Sequence, residues 1–549
     1  MESQRITRFL FDREAGPSDR LIARWIFLRC LGGIYFSAFF SLAFQILGLN
    51  GSGGILPAAD FLDKARGFGP LRFWYVPSLL WLNHSDHALT ALVWVGLIAS
   101  LLVIANVLPR PALIVCWLCF LSFVTTAQDF SQYQSDGMLL EAGLLALFIA
   151  PAGVLPGWGK SSLPARAAWY LLLWEWFRIY FESGMVKLAS GDPTWRNLTA
   201  MNEYYQNGPL PTWIGWHLQH LPLWFHKATA GATLLMELVL VWVAFLPRRW
   251  RLICFAIVTV WQIGVIASAN YAFLNYLVLV LAFLLLDDQI LYRLVPMRYR
   301  SGLEVNTQPA LVEEESSLSI LKERGGTSLS SAADGSVRGL RSHARAIRIA
   351  ITTVLTLWIA YATTLEMVMI VWPAVPLPFL PAQVLEPFRV ANQYGLFAVM
   401  TPHRYEVEFQ GSNDGQTWVA YPFRYKPQAL NERPRIYAPY QPRFDWNLWF
   451  ASLEPWQRSP IVPLTEERLL EGERQTLDLF AADPFGGKPP IYVRAVLWQY
   501  WFSSSQEKRA TGAWWRRQYL GTFAPTLRKA PEGKYGEVAV PELEGPPAE

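Results

Sequence analysis

Apolar runs at 21–48, 88–108, 111–130, 138–155, 166–189, 225–246, 251–269, 271–288 and 346–372 are each about the length that a helix needs to cross a bilayer. Lipid offers no partner for a peptide N–H or C=O, so segments of this kind must close their hydrogen bonds internally, as helices. The 251–288 stretch is too long for one ordinary span, and Asn270 and Tyr271 near its middle divide it into a tight hairpin. The expected fold class is therefore a polytopic α-helical membrane protein of about nine transmembrane helices. Only 16% of the 549 residues are charged, against about a quarter in soluble proteins.

The placement of basic residues orients these spans. Arg5, Arg8, Arg13, Arg20 and Arg24 precede the first, Arg110 separates the second and third, and Lys160 and Arg166 separate the fourth and fifth. Arg248, Arg249 and Arg251 lie between the sixth and seventh, and Arg293, Arg298, Arg300, Arg338, Arg341, Arg345 and Arg348 follow the eighth. With nine spans all these clusters share one side, which the positive-inside rule makes cytoplasmic. Everything after Trp372 then lies outside the cytoplasm. Residues 1–20 are polar and lack the short apolar core of a cleavable signal, so the first run is expected to act as an uncleaved signal-anchor.

Composition sets the domain plan. Residues 1–20 form a cytoplasmic N-terminus and 21–290 an eight-helix block with an aromatic-rich outside loop at 190–224. Residues 291–345, polar and Ser/Gly-rich from 301, are expected to be a flexible cytoplasmic linker. The ninth helix at 346–372 leads to a Trp-rich outer domain at 383–530, and 531–549, rich in Pro, Gly and Glu, is expected to be a disordered tail. The outer domain is read as α+β with a small antiparallel sheet. Apolar and polar residues alternate in YEVEFQ at 405–410, Asn413-Asp414-Gly415 makes a turn, and TWVAYPFRY returns. YVRAVLWQYWF supplies another strand, whereas FDWNLWFASL and LTEERLLEGERQTLDLF are expected to be helical.

The fifth span carries the candidate chemistry. Glu175, Arg178 and Glu182 share one helix face, and Lys187 points elsewhere near the outer end. Charges at mid-membrane cost at least ~2.5–3.5 kcal/mol on insertion scales, so these groups should face protein or trapped water and pair with one another. Two readings stand side by side: a structural Glu–Arg–Glu cluster, and a polar cavity for a ligand or proton. Lys187 is expected to snorkel to the outer interface, and Asp129, Asp136 and Glu141 to sit near water at the ends of spans three and four. Glu237 and Glu366 lie deeper, with Arg178 a candidate partner.

Asp192 opens a turn beyond the fifth span, and Trp195 anchors at the interface. With Tyr204, Tyr205, Trp213 and Trp216, and with Trp446 and Trp449 of the outer domain, they form a candidate surface for an incompletely folded client. For any single one of these tryptophans an aromatic belt is the simpler account; the whole loop together with the Trp-rich outer domain points to the client surface. HSDH and HLQH place histidines at i,i+3 without a third ligand, and Cys116 and Cys119 form a CxxC buried in an apolar run. No metal or cofactor site is expected from them, and the net charge of +4 without a basic stripe points away from nucleic acid. There is no phosphate-binding loop, dinucleotide fingerprint or G-x-S-x-G elbow, so the chain is not read as a lipase.

Six blocks carry a resemblance: SFVTTAQDFSQYQSDGMLLEAG, FRIYFESGMVKLASGDPTWRNLTAMNEYYQNGPLPTW, LPLWFHKA, FRVANQYGLFAVMT, VEFQGSNDGQTW and PRFDWNLWFASL. In combination they resemble the lipase maturation factor family over nearly the whole chain. Vertebrate members are endoplasmic-reticulum membrane proteins needed for folding and assembly of secreted lipases, with the C-terminal domain in the lumen. The resemblance implies a non-enzymatic maturation role, membrane lipids and an exported client as partners, and residence in that membrane in a eukaryote or the inner membrane in a bacterium. The outer domain here has no cysteine, so thiol exchange in that domain cannot carry over. A more distant resemblance, to the membrane region of vitamin K-dependent carboxylases, implies the alternative: an intramembrane lipid-modifying or carboxylase-like enzyme using the Glu175, Arg178, Glu182 and Lys187 region.

Overall fold

The computed structural model describes residues 2–13, 16–300, 303, 332–529 and 535–543. Among them six helices are long and apolar enough to cross a membrane, or seven if a bent pair counts as one span. The six lie in α1 (Leu21–Ala43), α2 (Asp86–Ala105), α3 (Pro109–Thr126), α6 (Leu223–Leu238, prolonged by a 3-10 turn to Phe245), α7 (Arg248–Ser268) and α9 (Ala332–Val371). The bent pair joins Leu274–Leu285 to Asp288–Leu294 at 99°, with α8 (Leu274–Ala282) as its first part. Two expected spans are helical but fail that test: α4 (Gln134–Ile149) has only 16 residues, and α5 (Arg166–Ala189) is charged along its buried face. The expected count of nine is not confirmed: among the described residues, length and apolarity give six spans, or seven with the bent pair. The expected linker 291–345 lies largely outside the described residues, but its last part is helical, because α9 begins at Ala332.

Close approach packs the block. A Cβ on Gly96 of α2 would lie 2.4 Å from the Phe39 ring of α1, so only glycine lets these helices meet there. The basic connections gather at one end of the bundle. There Arg24 donates to the carbonyls of Ile149, Ser162, Trp158 and Gly159, Arg20 to Leu286 O, and Arg110 to Ala150 O. Arg248 pairs with Asp287 at 2.7 Å, and Arg345 with Asp12. Asp288 caps α1 from a distance, its carboxylate accepting from the N–H groups of Leu21, Ile22 and Ala23.

The outer domain sits on the opposite end. Its six-stranded antiparallel sheet comprises β1 (Arg404–Ser412), β2 (Val419–Ala420), β3 (Tyr492–Phe502), β4 (Trp515–Thr522), β5 (Thr526–Lys529) and β6 (Tyr535–Ala539). The order is β2-β1-β3-β5-β6, with β4 pairing β3. The two long expected strands are neighbours, in register from Arg404 opposite Tyr500 to Ser412 opposite Tyr492. The expected return strand after the 413–415 turn shrinks to two residues. The tail expectation needs correcting at 535–539, which add an edge strand to β5, while Tyr535 Oη donates to Glu471. The first expected helix is present as α10 (Arg443–Ala451); the second is cut at Gly472, whose positive φ ends α11 (Ile461–Glu471), and only a short turn at Arg474–Leu477 follows. One continuous apolar core runs from Phe27 and Leu172 in the membrane block to Phe444 and Val493 in the outer domain.

Candidate functional site

The charged face of α5 turns inward. Arg178, fully buried, donates from Nη2 to Glu141 Oε1 at 2.6 Å and from Nη1 to the carbonyls of Thr363 and Asn392, each at 3.1 Å. Its helix neighbour Glu182 is farther away, with Oε1 3.9 Å from Arg178 Nε. Instead Glu182 Oε2 accepts from the Tyr394 N–H at 2.7 Å. Glu141 Oε2 also accepts from Tyr394 Oη at 2.8 Å and Asn392 Nδ2 at 3.1 Å. Glu175 is buried beside this group, and neither of its oxygens reaches a hydrogen-bond partner among the described residues.

The same segment continues along α5. Ser183 Oγ accepts from Leu396 N–H, and Lys187 Nζ donates to Leu396 O at 2.7 Å, Glu237 Oε1 at 2.9 Å and Ser183 O at 3.3 Å. Beyond the helix, Trp195 Nε1 donates to Phe397 O at 3.0 Å. Asp192 accepts from the N–H groups of Thr194 and Met400. Burial raises the Asp192 pKa, but those two N–H donors outweigh it and hold the carboxyl below its ordinary value. The chain from Asn392 to Met400 is thus gripped by α5 and the turn after it, across some 200 residues of sequence.

A second socket lies beside it. Arg443, at the start of α10, makes a bidentate pair with Asp136 at 2.7 and 2.8 Å and donates to Phe130 O at 2.6 Å. Its guanidinium stacks between Phe123 and Tyr133, 4.7 and 5.6 Å from their ring centres. Both partners are fully buried.

Three expectations are corrected here. Lys187 does not snorkel: it is 1% exposed, because the 392–400 segment covers the outer end of α5 and Glu237 neutralises it. Asp136 and Glu141 are not near water, since the outer domain inserts Arg443 and Tyr394 over them. Arg178 pairs with Glu141 rather than with Glu237 or Glu366. The intended pairing within α5 is the weak part of the cluster, and its strong contacts are to other elements.

The aromatic residues are also placed differently from expectation. Trp216, 4% exposed, packs against Tyr500, Phe502 and Trp515 of the outer sheet. Trp195, Tyr205, Trp446 and Trp449 are likewise buried, and only Trp213 of the candidate tryptophans is half-buried, under Arg433. They cannot form an exposed surface because they build the contact between loop 190–224 and the outer domain. Trp195, Tyr204, Tyr205, Trp446 and Trp449 instead line a cavity of about 1180 Å³. Its walls come from α5, α6, α7 and α8, and the outer domain closes its other end with Phe397 and Phe450. Lys187 and Glu237 lie in its wall. Val399, Phe450 and Leu453, 64%, 45% and 39% exposed, stand at its outer rim. Among the described residues no three His, Cys, Asp or Glu side chains group as a metal site.

Sequence reasoning missed Glu141, Asn392, Tyr394 and Arg443 as parts of this site. The signal available was polar residues inside otherwise apolar blocks, as in LLEAG and NQYGLF, which must find partners if buried.

Comparison with known proteins separates the same two regions. Residues 22–293 match the lipase maturation factor transmembrane domain, and 390–525 match the lipase maturation factor C-terminal domain. Lipase maturation factor 2 of Gallus gallus is 33% identical, with 92% of this chain and 81% of the relative covered. The Homo sapiens protein of that name is 32% identical over 92% of this chain and 82% of its own length. Lipase maturation factor 1 of Bos taurus is 31% identical over 92% and 89%. No solved structure matches the chain.

Proposed function

The chain belongs to the lipase maturation factor family, and from that membership we propose that it assists folding or assembly of exported proteins, with lipase-like hydrolases as the client class. It is an integral multi-pass membrane protein. The basic end of the bundle faces the cytoplasm and the outer domain faces the lumen or periplasm, an orientation supported by the clustering of arginine-bearing connections away from that domain. Nine crossings follow if α4, α5 and the bent α8 complete the alternation, their charges and breaks being shielded by protein.

The match that spans both the membrane block and the outer domain carries this reading. The geometry adds how the two act as one body. Buried ion pairs and backbone contacts fix the outer domain on the bundle, so a client would meet a rigid platform at the membrane surface. The client would be held at the exposed rim of Val399, Phe450 and Leu453, not by the buried tryptophans. The α5 charges hold the 392–400 backbone, which supports a positioning role for them over turnover.

A photoreactive amino acid at Phe450 in the full-length protein tests this, with captured proteins identified after crosslinking and secreted lipase activity measured in cells lacking their own factor. Capture of exported hydrolases from Phe450, and loss of secreted activity when Val399 and Phe450 are both changed to Asp in a folded variant, are expected. Unchanged secretion by that double variant would sink the proposal.

A further inference from the structure

The cavity of about 1180 Å³ exceeds the roughly 300–1,000 Å³ of ordinary small-ligand sites. Ile257 and Val260 in its wall are 43% and 73% exposed, on α7, a helix apolar enough to span the membrane. Exposed wall residues on a membrane-spanning helix face hydrocarbon rather than water. From Val260 to the helix end at Ser268 the axis rises about 12 Å, and the cavity continues from there to Trp446 and Trp449 of the outer domain.

What can fill this space follows from its polar groups: those along the membrane-spanning helices are mostly matched to one another, whereas Glu237 Oε2 and, at the outer-domain end, Trp446 Nε1 and Trp449 Nε1 have no hydrogen-bond partner among the described residues. Lys187 is paired with Glu237, Asn275 Nδ2 donates to Gln262 Oε1 at 2.8 Å, and Gln262 Nε2 donates to Tyr180 Oη. Ser183 and Thr233 donate to carbonyls of their own helices. Along α7 and α8 a polypeptide would bring an N–H and a C=O per residue with few groups there to receive them, whereas a hydrocarbon chain brings none; the unpartnered indole N–H groups of Trp446 and Trp449 suit an uncharged polar head at the other end. The charged wall residues are Lys187, Glu203 and Glu237. One positive against two negative charges gives no attraction for an anionic head group.

We propose that this cavity binds an uncharged long-chain lipid, taken sideways from the leaflet nearer the outer domain. The chain lies along α7 and α8, and the polar head points toward the outer-domain end. The proposal stands on the cavity alone and is independent of the client reading.

The test uses the full-length protein in phosphatidylcholine nanodiscs and a diacylglycerol carrying a diazirine near the end of one acyl chain. Label is expected in residues 256–264 and 274–278 and should fall about tenfold with excess unlabelled diacylglycerol. Gly264 lines the cavity, and an added Cβ there meets no atom within 4 Å. Gly264 is exposed where the lining meets the outer face of α7, so Gly264→Phe narrows that opening and should cut the competed labelling about tenfold, while Gly264→Ala stays within about twofold. A phosphatidic acid bearing the same diazirine should label at background. Label that excess diacylglycerol does not compete, full labelling of a folded Gly264→Phe protein, or equal labelling by the anionic probe would each overturn the proposal.

Discussion

Removing the Asp136 carboxylate, as in Asp136→Ala, strands the Arg443 guanidinium in a site with no access to water. Both side chains are fully buried, and the two hydrogen bonds between them measure 2.7 and 2.8 Å. After the substitution Arg443 keeps only Phe130 O and two aromatic faces. Breaking a buried pair by removing one partner costs roughly 3–5 kcal/mol, chiefly because the survivor is left uncompensated. The socket joins the outer domain to the bundle, so that energy falls on docking. At 1.4 kcal/mol per tenfold, the undocked population should rise by about 10²-fold to several thousandfold. Limited proteolysis in detergent reads this at the proline-rich exit, residues 373–381, where cleavage tracks the open population when reclosing is fast. The double variant Asp136→Leu with Arg443→Met removes both charges and should recover most of the loss, since an apolar pair of similar volume is often as stable as the ion pair. A single variant cleaved within about twofold of wild type would refute the reasoning. So would a double variant no better than either single one.

Two further outcomes follow from the same geometry. Burial, only partly offset by the Lys426 and Tyr425 N–H groups, raises the Asp445 carboxyl from its ordinary 3.8 to about 6. A folded-state pKa above the unfolded value means that the folded form holds the proton more tightly. This contribution is therefore complete below about pH 4 and lost as pH climbs through about 6, on the order of 3 kcal/mol in all. Thermal unfolding of the intact protein between pH 4 and 7 should show that decline, and Asp445→Asn should flatten it; a slope unchanged in the variant contradicts the assignment. Separately, Trp216→Ala removes a buried indole from beneath Tyr500, Phe502 and Trp515, a change worth roughly 3–5 kcal/mol of stability. Circular-dichroism melting should show a marked loss, whereas a normal melting temperature with lost client capture would return Trp216 to the client surface.

Much of the architecture was legible because it rests on local chemistry. Apolar runs locate the helices, and the arginine-rich connections do meet at one end, as the alternation requires. The strand from Arg404 and its partner ending at Phe502 were readable from period-two alternation, a property of each strand alone. Span quality was less legible. A run such as 138–155 is apolar enough to suggest a crossing, yet the helix ends at Ile149 after 16 residues. Such a helix depends on neighbours that shield its ends, and hydropathy does not contain them.

The charges show where reading a sequence stops, and why. A buried arginine must be answered by an acid, and on one helix the nearest candidates are three or four residues away. By that logic Arg178 belongs with Glu175 and Glu182. The fold instead brings Glu141 from α4 to 2.6 Å and leaves Glu182 Oε1 at 3.9 Å. The difference is made by Asn392 and Tyr394: the Tyr394 N–H takes Glu182 Oε2, Asn392 O accepts from Arg178, and both side chains donate to Glu141, so the α5 charges are answered by other elements. Those two residues stand more than 200 positions away in a domain of another secondary-structure class, so no periodicity in either segment encodes the meeting. What the sequence did contain was the stoichiometry. Polar residues in NQYGLF and LLEAG had no local role, and neither did the charges on α5. Unemployed buried polarity on both sides of a domain boundary is itself the mark of a docking joint, because each side leaves groups that only the other can satisfy.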